Sequence, residues 1–267
     1  MSDLISSVSN LIREAAQIYV MPVFHLLDKN TEEKTPGEWV TKADRDSEAF
    51  LGPALRSLIP GSLVVGEESV SSYPATLDSI NDEGFVWVID PLDGTANFAN
   101  GESPFAIMVA LLQNGETVAS WIFDPLADQL SVSEKHSGSW INDQKVLVDE
   151  DVPDVNSITG AVLHRFLPPE LSAHVLAVEH QFARLTLGSG CAGYEYPEIV
   201  KKSIDFALYW RTLPWDHLPG VLFLQEAGGF VARPDGSKYS AKDHSRSGLL
   251  VARNEGIWNS VKSSLIL

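Results

Sequence analysis

Residues 85–135 read "FVWVID", "FAIMVALLQNG", "ETVASWIFDP" and "DQLSVSEK", apolar runs of strand length with little chain between them. Such a stretch reads as successive strands, with Gln113-Asn114-Gly115-Glu116 as a hairpin turn. "GSWINDQKVLV" adds a further hairpin. The first strand also raises the question of function, because it runs straight into Asp90, Pro91, Leu92, Asp93, Gly94 and Thr95. Asp, Pro and Gly are turn residues, so a structural turn is one reading. A metal site at the carboxyl end of a strand is the other. Pro91 restricts the turn, and residues three apart in a tight turn can point the same way. Gly94 lets a ligand approach the backbone. Thr95 offers a hydroxyl and a start for a short helix, whose N–H groups suit an anion. On these residues alone both readings stand.

Around this core of strands, Leu4, Val8, Leu11, Ala15 and Ile18 recur at helical spacing, so the N-terminus reads as an amphipathic helix. It has no basic start and no continuous apolar stretch of the kind a signal peptide carries. A polar loop with Pro36 and Gly37 follows, then a helix over residues 44–58. "SLVVGEES" reads as a short buried strand ending in Glu67 and Glu68. Adjacent carboxylates repel unless solvated or neutralised, and alone this pair reads as a solvated loop. The acidic, proline-containing "DEDVPDVN" divides the chain into an α+β half (1–150) and an α/β half (151–267). In the second half the strands "SITGAVL", "FARLTLG", "IDFALYW" and "GLLVAR" alternate with helices at 169–181, 195–202, 216–227 and from 255. That alternation suggests a mostly parallel sheet.

Charge narrows the chemistry. With 19 basic against 36 acidic residues the formal net charge is −17, a surface that repels nucleic acid and anionic lipid. An anionic substrate would need bound cations to reverse the field locally. No segment approaches the roughly 18 apolar residues of a membrane span. The single cysteine, Cys191, excludes an intrachain disulfide, fits a reducing cytoplasm and reads as a small core residue. His217 reads as a packing or hydrogen-bonding residue, and no HxH, HExxH or CxxC spacing suggests zinc. There is no GxSxG elbow, P-loop or GxGxxG. Asp216, in "LPWDHLPGVLFLQEAGG", reads locally as a helix N-cap. The available ligands are oxygen atoms, which suit magnesium, with manganese a substitute. Magnesium on carboxylates takes substrate phosphate oxygens, which points to phosphoryl chemistry.

Taken together and in order, "GEES", "WVIDPLDGTANF" and "PWDHLPGVLFLQEAGG" closely resemble the three signature segments of the inositol monophosphatase family. "VTKAD" and "GSWINDQKV" are similar to further landmarks of it, and the similarity spans nearly the whole chain. The resemblance implies a layered αβαβα sandwich and a magnesium-dependent phosphomonoesterase with two or three ions. By position it implies Glu67, Asp90, Asp93 and Asp216 as side-chain ligands and Leu92 as a carbonyl ligand. Glu68 would act through a water of the metal shell, Asp44 and Thr95 would orient and deprotonate the attacking water, and Gly94 and Thr95 would donate N–H bonds to phosphate. It further implies a cytoplasmic homodimer, lithium inhibition and a small phosphomonoester as partner.

The substrate side matches less closely. The turn of Gly188, Ser189 and Gly190 resembles the small-residue turn that faces the polyol. Inositol phosphatases of the family carry an acid shortly before the WD pair, where this chain reads "LYWRTLPWD" with Arg211. Arg211 is then either a contact for a second anionic group or a surface arginine. The loop over residues 28–38 resembles the family's mobile loop over the third metal position, with Lys34 as a solvated lysine or a phosphate contact. The expected activity is therefore hydrolysis of a sugar or polyol phosphate. The alternatives are a bisphosphate or histidinol phosphate phosphatase, and an interaction protein of a transcription complex.

Overall fold

A computed structural model of the chain describes residues 3–24, 26, 31–35 and 38–266. Among them a hairpin pairs β1 (Glu32–Thr35) with β2 (Glu38–Val40). A seven-stranded sheet runs in simple order through β3 (Leu63–Gly66), β4 (Phe85–Asp93), β5 (Ala106–Gln113), β6 (Glu116–Asp124), β7 (Gln129–Glu134), β8 (Gly138–Ile141) and β9 (Gln144–Val146). All its pairings are antiparallel except β3 with β4. The hairpin chemistry read from residues 113–116 is present, with Asn114 and Gly115 at positive φ.

A second sheet comprises β10 (Thr159–Val162), β11 (Arg184–Thr186), β12 (Phe206–Tyr209), β13 (Phe230–Ala232) and β14 (Leu249–Ala252), in the order β11-β10-β12-β14-β13. The expected mostly parallel sheet is corrected here. β10 pairs parallel with β11 and β12, but β14 runs antiparallel to both β12 and β13. β13 is three residues long, too short for a periodicity to announce it.

The helices complete the layers: α1 (Asp3–Ala15), α2 (Met21–Phe24), α3 (Lys42–Leu58), α4 (Glu67–Ser72), α5 (Thr95–Asn100), α6 (Pro169–Val178), α7 (Ala192–Val200), α8 (Pro214–Glu226) and α9 (Glu255–Leu265). Side chains alternate along a strand, so a strand covered on both faces is apolar throughout. β4 shows why: Trp87 and Ile89 join Ile5, Val8, Ile12 and Leu51 of α1 and α3. Val86 and Val88 join Tyr196, Ile199 and Phe223 of α7 and α8. The opposite side of α7 and α8 meets Ala207 and Val251 of the second sheet. Beyond that sheet, Leu171 and Val175 of α6 and Ile257 and Val261 of α9 form the last layer. The order is αβαβα, as the resemblance implied.

Two N-terminal readings shift. After α1 a π-helical turn, Ala16–Val20, inserts an extra residue into the helical repeat. Ile18 is therefore 49% exposed instead of sharing the buried face. The polar loop contains the β1–β2 hairpin, and its residues 28–30, 36 and 37 lie outside the described residues.

Candidate active site

Because β3 and β4 are parallel, with Gly66 opposite Ile89, their carboxyl ends open on the same edge. The next residues are Glu67 and Asp90, which brings together two acids 23 positions apart. Glu67 is the first residue of α4, and a buried carboxylate fixes that helix start. Glu48 of α3 accepts the N–H groups of Glu68 and Ser69, each at 2.8 Å, and the Ser69 hydroxyl. It thereby satisfies donors that a helix N-terminus leaves open. A Cβ on Gly66 would lie 2.2 Å from the Glu48 carboxyl carbon, so a side chain here would push that carboxylate off the helix start.

β4 continues past Asp90 through a bulge. Asp90 pairs with Met108 and Asp93 with Ala106, leaving Pro91 and Leu92 opposite a single residue. Asp90 Oδ1 accepts the Leu92 N–H at 3.0 Å. Gly94 is left-handed at φ 84°, and a Cβ there would meet the Pro104 carbonyl at 2.8 Å and Cys191 Cβ at 3.1 Å. Backbone conformation and packing thus explain the glycine. Thr95 then opens α5, as the sequence suggested. Its hydroxyl is shared between Asp44 Oδ1 (3.1 Å) and the Leu92 carbonyl (2.8 Å). Asp44 is buried in the first turn of α3, where Oδ2 closes a capping box with the N–H (2.8 Å) and hydroxyl (2.6 Å) of Thr41.

The second half of the chain contributes from α7 and α8. Gly193 donates its N–H to Asp93 Oδ2 at 2.6 Å. Asp216 is the third residue of α8, whose N-cap is Leu213, so the expected N-cap role is replaced by a place in the first helical turn. Glu67, Asp90, Asp93, Thr95, Asp216 and Arg211 line one cavity of about 400 Å³. Gly94, Leu92 and Gly190 also reach it. Asp44 reaches this cavity only through Thr95. Glu68 faces a neighbouring groove and meets Lys34.

Crowding of acids dominates the electrostatics. Burial pushes the Glu67 carboxyl up to about 8, against the pull of the Lys34 ammonium, while Asp216 and Glu68 push the same way. Burial and then Asp216 raise Asp93 to about 7. Asp90 is held well above the carboxylate range by burial, with Glu67, Asp93 and Asp216 adding to it. Glu67, Asp90 and Asp93 each lean on a donor of their own: the Lys34 ammonium, the Leu92 N–H and the Gly193 N–H. Among the described residues no three His, Cys, Asp or Glu side chains are gathered about one point in metal-holding geometry. Lys34 is half-buried and bonds Glu68 Oε1 at 2.5 Å and Glu67 Oε1 at 3.3 Å, which corrects its reading as a solvated lysine. The donor set nonetheless fits a hard divalent cation, since buried carboxylates that repel one another are stabilised by positive charge among them.

On the leaving-group side, Gly190 faces the cavity, whereas Ser189 turns inward. Its N–H (2.5 Å) and hydroxyl (3.0 Å) donate to Glu195 Oε1. Gly188, left-handed at φ 80°, lies behind this contact, where a Cβ would stand 3.0 Å from Glu195. Asn97 of α5 ties the turn down by donating to the carbonyls of Ser189 (2.9 Å) and Pro104 (2.8 Å). His217 is buried and held neutral, its pKa pushed down to about 3 by burial. One ring nitrogen meets Tyr196 Oη at 3.1 Å and the other donates to the Arg211 carbonyl at 3.2 Å, so it is a packing residue as read.

Sequence reasoning missed Glu48, Asn97, Glu195 and Arg165. One signal existed for Glu48, which stands one helical turn beyond Asp44 on the same face of the expected helix. The others come from separate elements with no local pattern.

A sequence model described as "Inositol monophosphatase family" matches residues 2–265. The chain is 29% identical to "Inositol-1-monophosphatase" of Bacillus subtilis, over 86% of this chain and 84% of that one. It is 27% identical to "Putative Nus factor SuhB" of Neisseria meningitidis serogroup B, over 88% and 89%. Among solved structures, the extragenic suppressor protein suhB of Bartonella henselae superposes with a TM-score of 0.84 at 23% identity, covering 99% of both chains. No helix among the described residues is long and apolar enough to cross a membrane.

Proposed function

The chain belongs to the inositol monophosphatase family and is a phosphatase, and from that premise we propose that it hydrolyses a small sugar or polyol phosphomonoester with magnesium held by Glu67, Asp90, Asp93 and Asp216. The observation that carries this reading is that these acids, delivered by β3–α4, β4 and α8, line the same cavity as Thr95. The Leu92 carbonyl, which accepts the Thr95 hydroxyl, would be a further donor to the ion, and Glu68, which faces the neighbouring groove and bonds Lys34, would act only through water. When bound, magnesium offsets the charge of the phosphate and lowers the pKa of water, and manganese can replace it.

The remaining work falls to the chain. A phosphate entering this acidic cavity would meet Gly94 and Thr95 at the start of α5, whose first-turn N–H groups have no intrahelical acceptor. The Thr95 hydroxyl is shared between Asp44 Oδ1 and the Leu92 carbonyl; turned to Asp44, it leaves its lone pairs to accept a proton from the attacking water. Asp44 Oδ1 receives the proton that Thr95 relays. Burial raises the Asp44 carboxyl to about 6, a suitable value for a base working near neutral pH. The Thr41 bonds to Oδ2 keep Oδ1 aimed at Thr95. Gly190 and the elements behind it bound the space for the leaving group.

The test is phosphate release from inositol 1-phosphate, fructose 1,6-bisphosphate, histidinol phosphate and 3'-phosphoadenosine 5'-phosphate, after chelation and after magnesium is restored. Release from at least one compound only with magnesium is expected. Release undiminished by chelation would overturn the metal reading. A second reading, as a binding partner in transcription, is favoured by the name of the Neisseria relative. Affinity capture with a transcription complex by the Asp93→Asn protein would support it independently of turnover.

A further inference from the structure

α8 carries Asp216 in its first turn, yet no side chain caps that helix. Its N-cap is Leu213, which makes no bond to the open N–H groups, and Pro214 follows at the first helical position. The helices that present Asp44 and Glu67 differ. A Thr41–Asp44 capping box fixes one start, and the Glu48 carboxylate fixes the other. The aim of the first turn of α8 therefore depends on the residues that lead into it from β12: Trp210, Arg211 and Thr212.

Each of these is held through its carbonyl. The Gly248 N–H donates to Trp210 at 2.9 Å, the His217 imidazole to Arg211 at 3.2 Å, and the Tyr239 hydroxyl to Thr212 at 3.3 Å. Thr212, itself buried, donates its hydroxyl to the Arg246 carbonyl at 2.7 Å. All of these contacts except that of His217 come from the loop over residues 233–248, between β13 and β14. That loop closes on one buried side chain. Arg233 is 1% exposed, and its Nη1 donates to the carbonyls of Arg246 (2.8 Å) and Gly248 (3.1 Å), its Nη2 to that of Asp243 (2.6 Å). Its guanidinium lies over the Tyr239 ring, 5.2 Å from the centroid.

Local turns are enough to close a surface loop, as Asp235 does at the tip by accepting the N–H (2.9 Å) and hydroxyl (2.6 Å) of Ser237. Burying a guanidinium costs free energy that such turns avoid. Here its donors converge on the carbonyls that adjoin the lead-in of α8, and the Arg246 carbonyl is shared by Arg233 and Thr212. The same loop sends Tyr239 and Ala241 into the core that contains Ile80, ahead of β4. Burial, and then the Asp216 carboxylate, raises the Tyr239 phenol above its ordinary range, so the loop reaches the field of that acid.

We infer that Arg233, Thr212 and Tyr239 are positioning residues: through the 233–248 loop they fix the lead-in of α8 and so hold Asp216 against Asp90 and Asp93 for a shared divalent ion. This rests on the metal reading above and adds the device that replaces a cap on α8.

The experiment titrates manganese into chelator-treated full-length protein, follows free ion by electron paramagnetic resonance and records each melting temperature without metal. Thr212→Val keeps the shape and loses the hydroxyl, and it is expected to weaken binding about tenfold, the scale of a lost partner behind a metal ligand. Arg233→Lys keeps the charge and loses the planar fork, with a loss of about tenfold or more expected. Tyr239→Phe removes one bond and should weaken binding about threefold. Thr212→Ser keeps the hydroxyl and should bind as the wild type does. Arg253→Lys serves as the stability control. Arg253 bonds Asp149 and Asp205 at the far end of β14, so this change should lower the melting temperature and leave affinity unchanged. Wild-type affinity in Thr212→Val would overturn the inference and leave the metal reading standing, and that variant decides the matter even if Arg233→Lys fails to fold. A loss in Arg253→Lys as large as in Thr212→Val would overturn it too, by making the effect one of general stability. No saturable binding by the wild-type protein would count against both.

Discussion

The two walls of the cavity are built by opposite means. The acidic wall comes from strand ends and helix starts of the seven-stranded sheet and from the first turn of α8. Asp90, Asp93 and Asp216 sit on long buried elements, β4 and α8, and Glu67 on the short β3–α4 junction that Glu48 anchors. The opposite wall draws on the short turn after β10, the loop after β12 and the Gly188–Gly190 turn that follows β11, which meet only in the folded chain. Reaction chemistry needs fixed geometry and uses rigid elements, while discrimination among leaving groups can rest on side chains mounted on loops. Changes in the first wall should therefore abolish turnover, and changes in the second should retune it.

The sharpest break is Asp93→Asn. It keeps an oxygen for the Gly193 N–H but removes a charge from the centre, so turnover is expected to fall roughly a thousandfold with the fold intact. A loss of thermal stability as the main effect, at near-normal turnover, would return Asp93 to the role of a structural turn. Next is Glu48→Ala, which removes the acceptor of three bonds at the start of α4. A stability loss of about 2–3 kcal/mol is expected in urea unfolding, with magnesium affinity weakened about tenfold. An unchanged affinity would mean that α4 needs no such anchor to aim Glu67.

Thr95→Ala tests the relay. A kcat loss of about tenfold to a hundredfold is expected, with KM little changed; a pure KM effect would reduce Thr95 to a substrate contact. On the far wall, Asn97→Ala unties the Gly188–Gly190 turn from α5. It should raise KM about threefold and cost about 1 kcal/mol, and a kcat loss as large as that of Thr95→Ala would erase the contrast between the walls.

The smallest effect concerns pH. Glu67 and Asp93 have folded pKa values of about 8 and about 7, against ordinary values of 4.5 and 3.8. The folded protein therefore binds more protons than the unfolded chain across that window, so stability is lost as pH rises through it. In chelator, the melting temperature should drop by a few degrees between about pH 5 and pH 8, and saturating magnesium should flatten the slope. A flat profile in chelator would show that the acids do not strain one another.

The same contrast explains what could be read from the chain. The strands of the large sheet were legible because both faces are buried, leaving runs such as Val86–Ile89 with no polar interruption. Asp90 and Asp93 stood out because an apolar run stops at them, with a turn and a metal site both open, whereas Glu67 read alone as a solvated loop and became a candidate through the resemblance. Asp216 was legible only through the resemblance, since locally it is one acid at a helix start. Asn97, Glu195 and Arg165 left no trace, because each matters through a partner far away in sequence, as with Asn97 and Ser189, 92 positions apart. The mixed direction of the second sheet escaped for a similar reason: strand alternation does not show that β14 inserts between β12 and β13. Lys34 was misread because an exposed-looking polar stretch folds into a hairpin that carries it to Glu67 and Glu68.

Whether the acidic wall holds a divalent ion is decided by titrating manganese into chelator-treated protein and following free ion by electron paramagnetic resonance. Saturable binding that magnesium displaces, weakened at least about tenfold in Asp93→Asn and Glu67→Gln, is the result expected. Binding equal in the wild-type and both variant proteins, or none at millimolar manganese, would contradict it.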